Sequence, residues 1–208
     1  LSNPINGKIS TIEYLELLTS ELNGIRCLIG HDNGVICYWE LKTASLIHSF
    51  TSHTGEVTKI YASKQSVNVG IENMFISASI DKTIKVWSLK QRSLIKTFYD
   101  HTDEVSDLTF IVNTNKLIST GHDMKIVIYD MVKMDKEAEL KGHKHHIDTI
   151  CVFDSDVIVT AGTENVLFFW SIKTQKLLLI SDTYNWGGIG KVEKLDIVDE
   201  EGTIHNMI

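Results

Sequence analysis

The sequence predicts an all-β fold assembled from repeated four-stranded antiparallel units, and three observations carry that prediction. Bulky aromatics close four similar runs, 35–39, 83–87, 125–129 and 166–170, at Trp39, Trp87, Tyr129 and Trp170, with intervals of 48, 42 and 41 residues. A histidine follows the first three aromatics fourteen residues on, at His53, His101 and His143, and Tyr184 holds that place after the fourth. Four residues beyond each histidine, Val57, Val105 or Ile147 opens another apolar run. Offsets that agree in successive units mark a repeat protein, and units of 41–48 residues with about four short strands each mark propeller blades.

The second unit shows the elements most plainly. Its strands are expected at Glu56–Ala62, Asn73–Ser79, Thr83–Leu89 and Ser93–Tyr99, each rich in Val, Ile, Thr and aromatics and separated by turn-prone polar residues. No stretch sustains a 3.6-residue apolar period, which disfavours a helical solenoid. Thr11–Leu22 has some helical character but aligns better with the first strand of a blade. The units run approximately 5–52, 53–100, 101–142 and 143–183, and a partial fifth covers 184–208.

Composition narrows the class. With 208 residues, 43% hydrophobic and one Pro, the chain can build a substantial core and is no disordered segment. No uncharged apolar run approaches the roughly 20 residues of a membrane-spanning helix. A net charge of −7 argues against direct binding to nucleic acid or anionic lipid. Cys27, Cys37 and Cys151 are odd in number, widely spaced and set in apolar runs, which fits buried reduced thiols and an intracellular protein, cytoplasmic or nuclear.

On these residues the chain resembles the tryptophan-aspartate (WD) repeat propellers over almost all of its length. The second unit has His53 and the run Phe75-Ile76-Ser77-Ala78-Ser79-Ile80-Asp81-Lys82-Thr83-Ile84-Lys85-Val86-Trp87. The third has Gly121-His122-Asp123 and Tyr129-Asp130, and the fourth has Gly142-His143, Thr160, Glu164 and Trp170. A histidine, a hydroxyl, an acid and an aromatic therefore recur: His53, Ser77, Asp81, Trp87; His101, Ser119, Asp123, Tyr129; His143, Thr160, Glu164, Trp170. Ser, His and Asp together invite comparison with a nucleophilic triad, but a catalytic site is expected once and not in every unit. The resemblance implies instead a structural chain from indole to hydroxyl to imidazole to carboxylate, with Ser77 rather than Ser79 as the hydroxyl. Departures are visible: Tyr129 has no indole donor, Glu164 is one methylene longer than Asp, and the first unit has Asn33 and Ile5 at the acid and histidine places.

Two insertions break the spacing. His53 to Trp87 spans 34 residues against 28 and 27 in the next two units, and the excess falls in Ser63–Glu72 on what the family makes the bottom rim. After Tyr184 the next strand is expected at Val192, leaving a loop that carries Trp186 beside Gly187 and Gly188, a residue type enriched in partner contacts. His143, His145 and His146 lie close in sequence, but no thiol or carboxylate completes a metal set, so no metal is expected. Lys90-Gln91-Arg92 and Lys133–Lys136 read as solvated turns without interleaved aromatics.

The resemblance implies a non-catalytic scaffold that docks protein or peptide partners through loops on the top face, needs no cofactor and has no membrane role. Candidate contact residues are Glu56, Ile80, Lys82, Asp103, Glu104, His122, Lys144, His145, His146 and Trp186. The alternatives are a recognition module of an enzyme assembly, such as a ubiquitin-ligase adaptor or kinase-linked propeller, and a propeller subunit of an RNA-processing or ribosome-assembly complex. A phosphopeptide reader would gather arginines on the top face, and Arg26 and Arg92 are both outside those loops. Because the family ring usually has seven blades, the sequence is expected to be an incomplete arc, continued by further blades of a longer chain or paired with a second arc.

Overall fold

The computed structural model describes residues 7–16, 25–62, 73–164, 166–181, 195–198 and 204–207. Four four-stranded antiparallel sheets follow one another along the chain. The first contains β1 (Ile9–Glu16), β2 (Ile25–His31), β3 (Val35–Glu40) and β4 (Ser45–Thr51). The second contains β5 (Val57–Ala62), β6 (Met74–Ser79), β7 (Ile84–Ser88) and β8 (Ser93–Phe98). The third contains β9 (Val105–Ile111), β10 (Lys116–Gly121), β11 (Lys125–Asp130) and β12 (Asp135–Lys141), with a 3-10 turn at Val112–Thr114. The fourth contains β13 (Ile147–Val152), β14 (Val157–Gly162), β15 (Phe168–Ser171) and β16 (Lys176–Ile180). A hairpin of β17 (Leu195–Val198) and β18 (Ile204–Met207) follows. The expected fifth-unit start at Val192 and the insertion 63–72 lie outside the described residues.

Each sheet is a meander, first strand to fourth, and each first strand packs beside the first strand of the next sheet. Strand residues alternate between two faces, and both faces of the second and third sheets are buried. In the second sheet, Phe75 and Trp87 join Leu28, Ile36, Tyr38 and Phe50 of the first sheet. Ile76, Ala78, Ile84 and Val86 point the other way and join Val105, Leu108, Leu117 and Tyr129 of the third. Ile118, Ile126, Ile128 and Leu140 of the third then meet Ile147, Ile158, Phe168 and Trp170 of the fourth. Each fully buried large apolar side chain contributes about 1.5–3 kcal/mol, so the stability resides mainly between sheets.

The turns repeat as faithfully as the aromatics. Ala44, Arg92, Met134 and Gln175 all have positive φ and stand five residues after the aromatic. Their strand pairs also slip register just before each aromatic, as expected of a hairpin closed by a left-handed residue and a bulge. Five residues before the aromatic, Gly34, Lys82 and Met124 take positive φ in the turn between second and third strands. Gly34 needs its missing side chain, since a Cβ there would strike the His53 carbonyl of the next sheet.

Candidate functional site

The recurring polar residues occupy the face that each sheet turns to its predecessor. In the second sheet the Trp87 indole N–H donates to Ser77 Oγ at 2.8 Å, and His53 Nε2 lies 2.7 Å from the same oxygen. His53 Nδ1 lies 2.8 Å from Asp81 Oδ2. One consistent proton arrangement runs indole to hydroxyl, hydroxyl to Nε2, and Nδ1–H to carboxylate. Asp81 also accepts from the Thr54 N–H at 3.0 Å, the Thr83 N–H at 3.0 Å and the Thr83 hydroxyl at 2.6 Å. Burial alone would raise the Asp81 pKa, but these bonds and the His53 contact outweigh it and hold the carboxyl well below the usual range. The set thus ties the turn after β6 to the loop before β5.

The third set shares this geometry up to its last member. His101 Nε2 is 2.7 Å from Ser119 Oγ, and Nδ1 is 3.0 Å from both oxygens of Asp123. Tyr129 fills the place of the tryptophan ring, but its buried hydroxyl has no hydrogen-bond partner. Burial first, and the nearby Asp100 carboxylate second, push this phenol far above its ordinary pKa.

The fourth set departs from expectation at its acid. Trp170 Nε1 donates to Thr160 Oγ1 at 2.9 Å, and His143 Nε2 is 2.7 Å from that oxygen. Glu164 Oε2 stands 3.3 Å from His143 Nδ1, outside hydrogen-bonding geometry. The extra methylene carries the carboxylate past the ring to the backbone, where it accepts the Lys144 N–H and, at 2.9 Å, the His145 N–H. Burial lowers the His143 pKa despite the glutamate.

The first sheet has no such set among its described residues. Ile29 stands in the hydroxyl place, Asn33 accepts from its own turn at Val35 N, and Ile5 lies outside the described residues. Buried His31 is held instead through Nδ1, which donates to the Gly7 carbonyl at 3.2 Å.

Above these sets the loops at one end of the strands form an exposed surface. Backbone bonds join each sheet's turn to the loop before its first strand: Ile80 N–H to Glu56 O, His122 N–H to Glu104 O, Thr163 N–H to His146 O. Neighbouring sheets are bridged as well. Lys82 Nζ donates to the Thr102 carbonyl at 3.1 Å and lies 3.8 Å from Asp103. His122 stacks on His146 with centroids 4.7 Å apart, with Glu104 at 3.3 Å and Asp148 at 3.7 Å. Lys144 and His145 are exposed next to Glu164. Trp186 lies outside the described residues. Among the described residues no three His, Cys, Asp or Glu side chains gather as a metal ion would require.

Residues 44–88 and 92–130 match the family described as WD domain, G-beta repeat. Residues 44–130 carry two WD repeats. Each matched repeat starts at the outer strand of one sheet and ends on the third strand of the next, so every repeat spans a sheet junction. A crystal structure of the RRP9 WD40 repeats is similar in fold, with a TM-score of 0.64 at 19% identity over 75% of this chain. The match takes in 45% of that chain, so the WD-repeat sequence spans less than half its length. No described helix is long and apolar enough to cross a membrane.

The WD repeats hold further recurring contacts that sequence reasoning missed. Ser10, Thr58 and Ser106, each one residue into a first strand, donate to the carbonyls of Val57, Val105 and Ile147 in the following sheet at 2.7, 2.7 and 2.5 Å. Asp148 takes that place in the fourth sheet and turns to His122. Eleven residues after the aromatic, Phe50 lies 5.3 Å from Trp87 and Phe98 4.4 Å from Tyr129, each covering the next sheet's aromatic. Both patterns repeat at fixed offsets and were legible to a search that aligned whole units rather than aromatics and histidines alone.

Proposed function

We propose that this WD-repeat chain is a non-catalytic docking platform that receives a protein or peptide partner on the exposed loop end. The observation that carries this reading is the patch of Glu104, His122, His146 and Asp148, in which adjoining sheets contribute to one half-exposed surface over buried, bonded supports. In the second and third sheets the Ser, His and Asp side chains bond one another and the loop backbone, which suits a rigid support for the loops above them. The loop surface mixes acids, imidazoles and lysines, which suits protein side chains better than a phosphate backbone. Proximity crosslinking of the chain in cells, compared with His122→Ala/Glu104→Lys, tests the reading. Proteins crosslinked by the wild type and lost selectively from the folded variant support it. An unchanged set of neighbours, or direct RNA binding at physiological salt, overturns it.

A further inference from the structure

The chain has two arginines, Arg26 and Arg92, and both line one groove of about 420 Å³ between the first and second sheets. The groove is at the strand ends opposite the docking loops, since Arg26 is the second residue of β2 and Asn73 immediately precedes β6. Lys90 joins the arginines, and Glu40 is the single acid lining the groove among the described residues. Three cations face one carboxylate in a chain whose net charge is −7.

The walls hold these cations in different ways. Arg26 is fixed from two sides: Nε donates to Glu40 Oε2 at 3.1 Å and Nη1 to the Tyr38 hydroxyl at 2.9 Å. Its Nη2 makes no hydrogen bond to a described residue, so a preset donor edge remains. On the other wall the turn after β7 is pinned by Leu89 N–H to the Asn73 carbonyl at 2.7 Å, and Lys90 and Arg92 form no ion pair with described residues. Arg92 reaches towards β4, where burial first and its charge second lower the His48 pKa. Ser45 and Asn73 add neutral donors.

We propose that this groove binds a phosphoserine or phosphothreonine side chain of a partner peptide. A phosphomonoester carries about −1.5 to −2 charge with three acceptor oxygens, which matches the two surplus positive charges among the described lining residues and lets both walls bond at once. A single carboxylate has one charge and two oxygens, and one guanidinium fork satisfies it. The site is separate from the loop end, so it stands or falls independently of the docking surface above.

The test is fluorescence anisotropy of the full chain with three degenerate nonapeptide libraries, centred on phosphoserine/phosphothreonine, on the unmodified hydroxyl residues, or on Glu. The phosphorylated library is expected to bind at least tenfold more tightly than the other two. Lys90→Gln/Arg92→Asn should erase that preference, with Asn chosen because it tolerates the positive φ of residue 92. Lys133→Gln, in the matching turn of the third sheet, should leave it unchanged. Thermal melts establish that the variants are folded. Equal binding of the phosphorylated and unmodified libraries, equal binding of the Glu library, or an unaltered preference in the folded double variant each overturns the proposal.

Discussion

Glu164 Oε2 stands 3.3 Å from His143 Nδ1, and yet that buried nitrogen has no hydrogen bond. In the two preceding sheets, aspartates at the same place lie 2.8 and 3.0 Å from the imidazole. Glu164→Asp should restore the missing bond and stabilise the fold by about 1 kcal/mol at neutral pH. The pH dependence follows from the lowered His143 pKa. Its folded value lies below the unfolded value of about 6.5, so the unfolded chain takes up the proton first. Stability is therefore full above that pH and falls as pH drops through it. The shorter acid raises the folded pKa and should shrink that loss. Urea unfolding at two pH values, one neutral and one mildly acidic, measures both effects. No gain at either pH would mean that the glutamate's bonds to Lys144 and His145 are worth as much.

Asp81 has the opposite relation to acid. Burial opposes its charge, but bonds from His53, Thr83 and Thr54 win, and its folded pKa lies well below the unfolded value. Its contribution is present above about pH 4 and fades as pH falls towards the folded value. Asp81→Asn should cost about 1–3 kcal/mol near neutrality. The deficit should narrow steadily in unfolding curves taken at decreasing pH below 4. A deficit that stays constant through that range would assign the loss to shape rather than charge.

The phenol of Tyr129 is completely buried and its oxygen has no partner. Tyr129→Phe removes an unsatisfied group and should be neutral or stabilise by up to about 1 kcal/mol. Ser77→Ala should do the reverse, since it strands both the Trp87 indole and His53 Nε2, at about 2–4 kcal/mol. Chemical denaturation of the two variants side by side separates them, and a Tyr129→Phe loss above about 1 kcal/mol would reveal a bond to Ser119 or Asp100.

How far the sequence could be read depends on what repeats. The aromatics, histidines and β-branched strand openers recur at fixed offsets, and the four sheets follow from them with strand ends within one residue in the second unit. Ser77 was distinguishable from Ser79 because it aligns with Ser119 and Thr160, and those three oxygens meet the imidazoles. The path of the Glu164 carboxylate was not legible, because one methylene decides between ring and backbone and spacing does not encode it. The groove was hidden for a different reason. Arg26 and Arg92 belong to different sheets and non-equivalent positions, so only the packing of one sheet on the next brings them together.

Gln175 has φ 56 in the turn between β15 and β16, a conformation that crowds its Cβ. Gln175→Gly relieves that crowding but loosens the unfolded chain, and the net gain should be about 0.5–1 kcal/mol. The exposed side chain has no packing to lose, which makes this the cleanest of the four equivalent turns. A rise in melting temperature checks it, and a fall would show that the unfolded-state entropy dominates.

Asp107 of β9 reaches the sheets on both sides. Its Oδ2 accepts from the Ile150 N–H at 3.2 Å and the Thr149 hydroxyl at 3.4 Å on β13, while Oδ1 lies 3.5 Å from Lys59 Nζ on β5. The lysine end is part-exposed, so screening leaves it little weight. The Ile150 amide is buried, and Asp107→Ala should cost about 1–3 kcal/mol by orphaning it. Asp107→Asn keeps an acceptor and should cost less. Because the bond crosses a sheet junction, the loss should be local as well as global. Hydrogen exchange should accelerate at Ile150 and along β13 before it does along β6 or β7. Uniform acceleration over all four sheets would make the contact a general stabiliser and not a clasp between the third and fourth.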